Sequence, residues 1–288
     1  MTSPAGVDII NLWGCEVNFN EKLANATEWN NSLLCIGLDP DPELMPDKVD
    51  VVKFNKAIID ATSDLVCAYK LNLAFYEALD DGIDALKRTI NYIPNDIPVI
   101  GDGKRGDIGN TARAYAKAIF LNLSFDATTV NPYLGYDSVE PFIEYWDKGV
   151  FILCRTSNPG AVDFQNLSFK TKRTRLSLFE IVALKAAQWN KHGNIGLVVG
   201  ATYPEELKLI RQNHPDMPLL IPGIGAQGGD LASAVGYGVN AWGRKAILSS
   251  SRQIIYASRE KDFAEAARRV AADLREQINA YRATLTPP

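Results

Sequence analysis

The sequence has little of what metal, redox and membrane proteins are usually built from. Its two histidines, His192 and His214, sit in polar settings (Asn-Lys-His-Gly and Asn-His-Pro). A histidine-rich metal centre is thereby excluded, and both read as loop residues. The four cysteines, Cys15, Cys35, Cys67 and Cys154, show no Cys-x-x-Cys spacing and no neighbouring histidine, so no zinc site is expected. Cys35, Cys67 and Cys154 lie in or beside apolar stretches and are expected to be buried free thiols in a reducing cytoplasm. No apolar run approaches the ~18 residues of a membrane span. The N-terminus lacks the basic region and apolar block of a secretory signal. Charge of one sign is also missing: 30 Lys+Arg stand against 34 Asp+Glu, net −4. That argues against a general nucleic-acid binder or a polybasic membrane-surface protein. No Pro/Gly/Ser-rich linker, long charge block or low-complexity segment divides the 288 residues.

Short apolar runs recur instead, each followed by a polar or glycine turn and then a helical pattern. The runs are Ser32–Leu38, Ala68–Leu73, Ile97–Gly101, Ala127–Val130, Val150–Cys154, Ile195–Val199, Leu219–Pro222 and Ala246–Ser250. Density in Val, Ile and Leu without alternation is the mark of parallel strands covered on both faces. Between them, Val51, Phe54, Ile58, Ala61 and Leu65 recur at helical spacing, as do Leu79, Ile83, Leu86 and Ile90. Ala264, Ala267, Val270, Ala271, Leu274 and Ile278 do the same near the C-terminus. Pro204-Glu205-Glu206 predicts a helix start, with proline early and acids in the first turn. Eight β-then-α units predict an α/β fold, a single closed (β/α)₈ barrel, with an open doubly wound sheet as the alternative. One domain spans 1–288 in this reading. Residues 1–31 form an N-terminal extension with a helix near Glu21–Trp29 covering the barrel bottom. Residues 32–258 form the barrel, and 259–288 the C-terminal helix and tail.

A barrel carries its chemistry where strands end. The first run ends Gly37-Leu38-Asp39-Pro40, and the second holds Lys70 in an apolar stretch, where an unpaired lysine is costly. The third ends Asp102-Gly103-Lys104-Arg105-Gly106-Asp107. Asp102 and Lys104, two apart, share a face in extended geometry. Asp-x-Lys-x-x-Asp then places one ammonium between two carboxylates, which keep it charged. Such a lysine is a fixed proton donor; a structural ion-pair cluster at the barrel mouth is the plainer alternative. The fifth run leads to Ser157, which has neither a histidine base nor a Gly-x-Ser-x-Gly elbow and is expected to hydrogen-bond rather than attack.

Gly101-x-Gly103-x-x-Gly106 matches a dinucleotide fingerprint, with Asp126 about twenty residues on. Its variable positions hold Asp102, Lys104 and Arg105, and an acid there repels a pyrophosphate. Gly223-x-Gly225-x-x-Gly228 matches too, without charge, and Gln227 adds a donor. That loop is either a tight turn or a phosphate cradle. Arg252 after the eighth run adds a bidentate grip, since the loops after strands seven and eight often bind phosphate. Gly243-Arg244 lies earlier and competes for that role; Ser251-Arg252 is preferred because Ala246–Ser250 is the better strand.

Taken together, these strand ends resemble the orotidine 5′-phosphate decarboxylase family, from about Leu33 to Ser258. The resemblance rests on Asp102-x-Lys104-x-x-Asp107-Ile108-x-x-Thr111 and on Pro222-Gly-Ile-Gly-Ala-Gln227-Gly-Gly. Ser157-Asn-Pro-Gly and Gly37-Leu-Asp39-Pro look like its longer bacterial branch. It implies a cofactor-free, metal-free decarboxylation of orotidine 5′-phosphate to UMP in pyrimidine synthesis, through a C6 carbanion. By resemblance Lys104 donates the proton and Asp102 sits near the substrate carboxylate. Lys70 links Asp102 to the ribose, and Asp39 binds the ribose. Ser157 meets the pyrimidine amide edge, and Gln227 and Arg252 hold the phosphate. Asn72, Ile108, Pro222 and Ser251 lie beside the substrate. Asp107 and Thr111 reach the partner's site across a homodimer interface. The rival readings are a Mg²⁺-dependent phosphosugar decarboxylase or synthase on the same barrel, a non-catalytic nucleotide-binding module, and an NAD-binding dehydrogenase.

Overall fold

The computed structural model describes residues 17–170, 175–224 and 230–285. The eight runs form eight parallel strands: β1 (Leu34–Gly37), β2 (Ala68–Asn72), β3 (Val99–Arg105), β4 (Ala127–Val130), β5 (Gly149–Arg155), β6 (Ile195–Val199), β7 (Leu219–Pro222) and β8 (Ala246–Ser250). Each pairs with the next, and β8 pairs with β1, so the barrel closes. Every residue of β1, β4, β6 and β8 is buried, which is why these strands show no alternation of apolar with charged residues; the polar ones among them, Thr128, Thr129, Ser249 and Ser250, are small and buried too. A small antiparallel hairpin, Ser168–Lys170 with Arg175–Ser177, branches off after β5.

Four strands depart from the expected bounds: β2 ends one residue early, β5 runs one residue further at each end, and β1 and β3 differ more. β1 starts at Leu34 because Ser32 serves as its anchor, accepting from the Leu34 N–H and donating to the Leu65 carbonyl. β3 runs past Gly101 to Arg105, with a register break against β4 between those two residues. Asp102 and Lys104 are therefore strand residues. Gly101 and Gly103 lie inside β3 as well, so the first glycine pattern is not a strand-to-helix phosphate turn.

Amphipathic helices surround the barrel. Helix Val51–Thr62 starts where the Asp50 side chain accepts from the Lys53 N–H, an N-cap worth about 1 kcal/mol. It buries Phe54 and Ile58. Helix Pro204–Asn213 begins at its proline, as predicted. Helix Gly82–Ile90 corrects the expected face: Leu79 precedes it and Ile83 is 47% exposed, while Ala85, Leu86, Thr89 and Ile90 turn inward. Helix Phe263–Ala283 buries Ala267, Ala271, Leu274 and Ile278.

The extension helix Phe19–Trp29 opens on a capping box made by Asn18 and Glu21. Phe19 closes the barrel bottom, edge-on to Phe151 with ring centroids 5.7 Å apart. The close approach requires Gly149, where a Cβ would fall 2.4 Å from the Phe19 ring. Lys22 Nζ lies 2.7 Å from Asp126 Oδ2, which also accepts from the Val99 N–H. Asp126 is thus an anchor at the bottom, beside Val99 at the start of β3. Cys35, Cys67 and Cys154 are free and buried, and burial pushes the Cys35 thiol up to about 12, which keeps it unreactive. Among the described residues no helix is long and apolar enough to cross a membrane.

Candidate active site

At the C-terminal ends of the strands lies a cavity of about 780 Å³, in the size range of small-molecule sites. Its floor is a chain of alternating charges. Lys70 Nζ on β2 is 3.8 Å from Asp39 Oδ1 after β1 and 3.3 Å from Asp102 Oδ2 on β3. The other oxygen, Asp102 Oδ1, is 2.7 Å from Lys104 Nζ. Asp39, Lys70 and Asp102 are each less than a tenth exposed, whereas the Lys104 side chain is 47% exposed and lines the cavity. Charges this dry persist only when paired. Burial alone would raise the Asp102 pKa, but Lys70 and Lys104 outweigh it and hold the carboxyl well below its usual range. Burial alone would lower the Lys70 pKa, but Asp39 and Asp102 outweigh that and hold the ammonium above its usual range.

The pairing corrects the expected pattern. Lys104 is not set between Asp102 and Asp107; instead the Asp102 carboxylate is set between two ammoniums. Lys104 has a left-handed backbone, φ +47°, so strand alternation does not continue to Asp107. The chain then leaves the barrel toward helix Gly109–Lys117. The Asp107 carboxylate accepts from the neighbouring Ile108 N–H, and Asp107, Ile108 and Thr111 do not line this cavity. Arg105 turns outward to Glu77 and the ring of Tyr115.

Asp39 is held from three sides. Its Oδ1 accepts from the Asn72 N–H at 3.1 Å and its Oδ2 from Ser251 Oγ at 2.8 Å, while Tyr256 donates to its carbonyl at 2.9 Å. Ser251 comes this close because Gly37 has no side chain; a Cβ there would fall 1.8 Å from Ser251 Oγ. On the opposite wall stand Ser157 and Asn158. Their loop is closed by Gln165, whose amide accepts from the Thr156 N–H and donates to Thr156 Oγ1. Behind it Arg155 is wholly buried against Tyr203, 3.5 Å from the ring centroid; it is a support rather than a cavity residue.

Asn72, Pro222, Ser251 and Arg252 line the cavity. Arg252 follows the C-terminal end of β8, and Arg244 precedes the other end of the strand, its N–H bound to Asn240. Only Arg252 therefore stands at the cavity face. Gln227 lies outside the described residues. Among those described, no group of three or more His, Cys, Asp or Glu side chains is arranged to hold a metal ion. Thr129, Gln165 and Tyr256 also line the cavity and were not expected from the sequence. Thr129 carried a weak signal, a polar residue beside Thr128 in a strand otherwise of Ala and Val. Tyr256 carried a weaker one, four residues after Arg252. Gln165 carried none.

The arrangement presents one ammonium to a cavity, oriented by a carboxylate that a second ammonium keeps ionised. It suits stabilising an anion on a bound molecule and then protonating it.

Residues 32–270 match the Orotidine 5′-phosphate decarboxylase / HUMPS family. The chain is 54% identical to an orotidine 5′-phosphate decarboxylase of Dehalococcoides mccartyi, covering 92% of this chain and 99% of that protein. It is 52% identical to the enzyme of that name from Cellvibrio japonicus, covering 93% and 100%. Among solved structures, the OMP decarboxylase of Leishmania donovani superposes with a TM-score of 0.79 at 39% identity, covering 92% of this chain and 99% of that one.

Proposed function

The chain belongs to the orotidine 5′-phosphate decarboxylase / HUMPS family, and we propose that it converts orotidine 5′-phosphate to UMP and CO₂ with Lys104 as the proton donor. The observation that carries this is the Lys104 ammonium facing the cavity, 2.7 Å from an Asp102 that Lys70 also holds. The C6–carboxylate bond breaks, its electron pair stays on C6, and CO₂ leaves. That lone pair lies in the ring plane and gains no π delocalisation. A fixed cation at the point where charge appears lowers the barrier without a metal or cofactor. Lys104 then gives a proton to C6 and regains one from solvent.

The other roles come from the family resemblance, with Asp39, Lys70 and Asn72 at the ribose, Ser157 at the pyrimidine amide edge, and Arg252 at the phosphate with Gln227, Pro222 and Ser251; that Asp39, Lys70, Asn72, Ser157, Pro222, Ser251 and Arg252 line one cavity supports them. Binding energy at the remote phosphate favours an orientation that matters at the transition state. Asp107, Ile108 and Thr111 would complete the site of a second copy in a homodimer. Their position outside their own cavity supports this, as do the exposed Ile108, Tyr133 and Leu134 on the adjacent loops after β3 and β4. Buried free thiols support a reducing cytoplasm.

The test is the absorbance change of orotidine 5′-phosphate with purified protein, with and without EDTA. Equal turnover in both is expected. Turnover lost to EDTA and restored by Mg²⁺ would contradict the metal-free reading, and UMP binding without turnover would favour the non-catalytic one. Mixing inactive Lys104→Ala and Asp107→Ala proteins should restore about a quarter of wild-type activity through hybrid dimers; no recovery would remove the shared site.

A further inference from the structure

We infer that Thr129 is a positioning residue for the decarboxylation, its hydroxyl setting Lys104 against Asp102. The inference rests on the roles proposed above for those two residues. Between the pairs Gly101↔Thr128 and Arg105↔Val130, three residues of β3 (Asp102, Gly103, Lys104) face one residue of β4, Thr129. A bulge of that size loses ladder hydrogen bonds and re-aims side chains.

Thr129 replaces what is lost. It is 1% exposed. Its Oγ1 lies 2.8 Å from Asp102 Oδ1 and 2.9 Å from the Lys104 N–H. A hydroxyl has a single proton, and an ionised carboxylate only accepts. The proton therefore goes to Asp102, and a lone pair takes the Lys104 N–H. One oxygen thus ties the backbone of the lysine to the carboxylate that its ammonium reaches at 2.7 Å. The arrangement also holds Lys104 at φ +47°, a conformation that costs a lysine free energy and persists only where the surroundings impose it. Thr128 next door does the ordinary thing, donating to the Gly101 carbonyl across the ladder at 2.8 Å.

Three variants test this. Thr129→Val removes the hydroxyl and nearly keeps the shape, Thr129→Ala removes it in a smaller side chain, and Thr129→Ser keeps it. Thermal melting identifies which of them fold. Val and Ala should lower kcat about 10- to 100-fold with the Kd for UMP changed less than about threefold, and Ser should return kcat to within about threefold of wild type. The inference is overturned if the hydroxyl-free variants keep kcat within about twofold, if Ser falls as far as they do, or if kcat falls only in step with UMP affinity. A second readout needs no turnover: acylation of Lys104 by acetic anhydride, followed by mass spectrometry. It should quicken in Val and Ala and not in Ser; equal rates in all would sink the inference. Absence of wild-type turnover would overturn the proposed function instead, and the acylation readout would still decide the role of Thr129.

Discussion

At the barrel bottom Arg211 is buried and donates to the carbonyls of His214, Pro215, Met217, Gly238 and Lys245. At the top Lys70 is buried to the same degree, and its ammonium meets two carboxylates, Asp39 and Asp102. Both are costly cations in a dry place. The bottom one spends its donors on backbone, which cannot change charge or move without unfolding the strand entries. The top one belongs to a series of side-chain charges that ends at Lys104, half exposed to the cavity. The first is built to hold the fold, and the second has the form that the proposed catalytic role of Lys104 requires.

Lys70→Met breaks the top series and leaves two buried carboxylates without their shared cation. Its kcat should fall about 10²- to 10³-fold in steady-state assays, and an active Lys70→Met enzyme would erase the distinction between the two ends. Arg211→Met should do the reverse. Unfolding in urea should show a loss of about 3–5 kcal/mol, with kcat of the folded protein near wild type.

Arg252→Ala and Arg244→Ala sharpen the same contrast along one strand, β8. The first, at the cavity end, should raise KM for orotidine 5′-phosphate about 10- to 100-fold by losing a charge-assisted grip. The second, at the bottom, should leave KM unchanged. The smallest effect concerns pH. The depressed Asp102 contributes stability above the ordinary carboxylate pKa of about 4 and loses it as pH falls through its lowered value. The raised Lys70 contributes stability below the ordinary lysine pKa of about 10.4 and loses it as pH rises through its raised value. Urea midpoints measured between about pH 5 and 9 should therefore show no inflection from this pair.

The barrel was legible because parallel strands covered on both faces carry a density of Val, Ile and Leu that little else in a chain imitates. β4, β6, β7 and β8 begin and end where the runs do. The charged strand ends were legible for a related reason, since Lys70 and Asp102 stand out against apolar neighbours. Where the backbone departs from regular geometry, legibility stops. The left-handed turn at Lys104 moved Asp107 off the cavity and exchanged the expected carboxylate–lysine–carboxylate for lysine–carboxylate–lysine. Thr129 and Gln165 act through hydrogen bonds to residues 25 and 9 positions away, a relation no local spacing announces.

Single-turnover decarboxylation by Lys104→Ala, with UMP affinity measured on the same preparation, decides whether this ammonium carries the chemistry. The rate should lie at least about 10³-fold below wild type with UMP bound about as tightly as before. A Lys104→Ala protein that decarboxylates orotidine 5′-phosphate within about tenfold of the wild-type rate would contradict it.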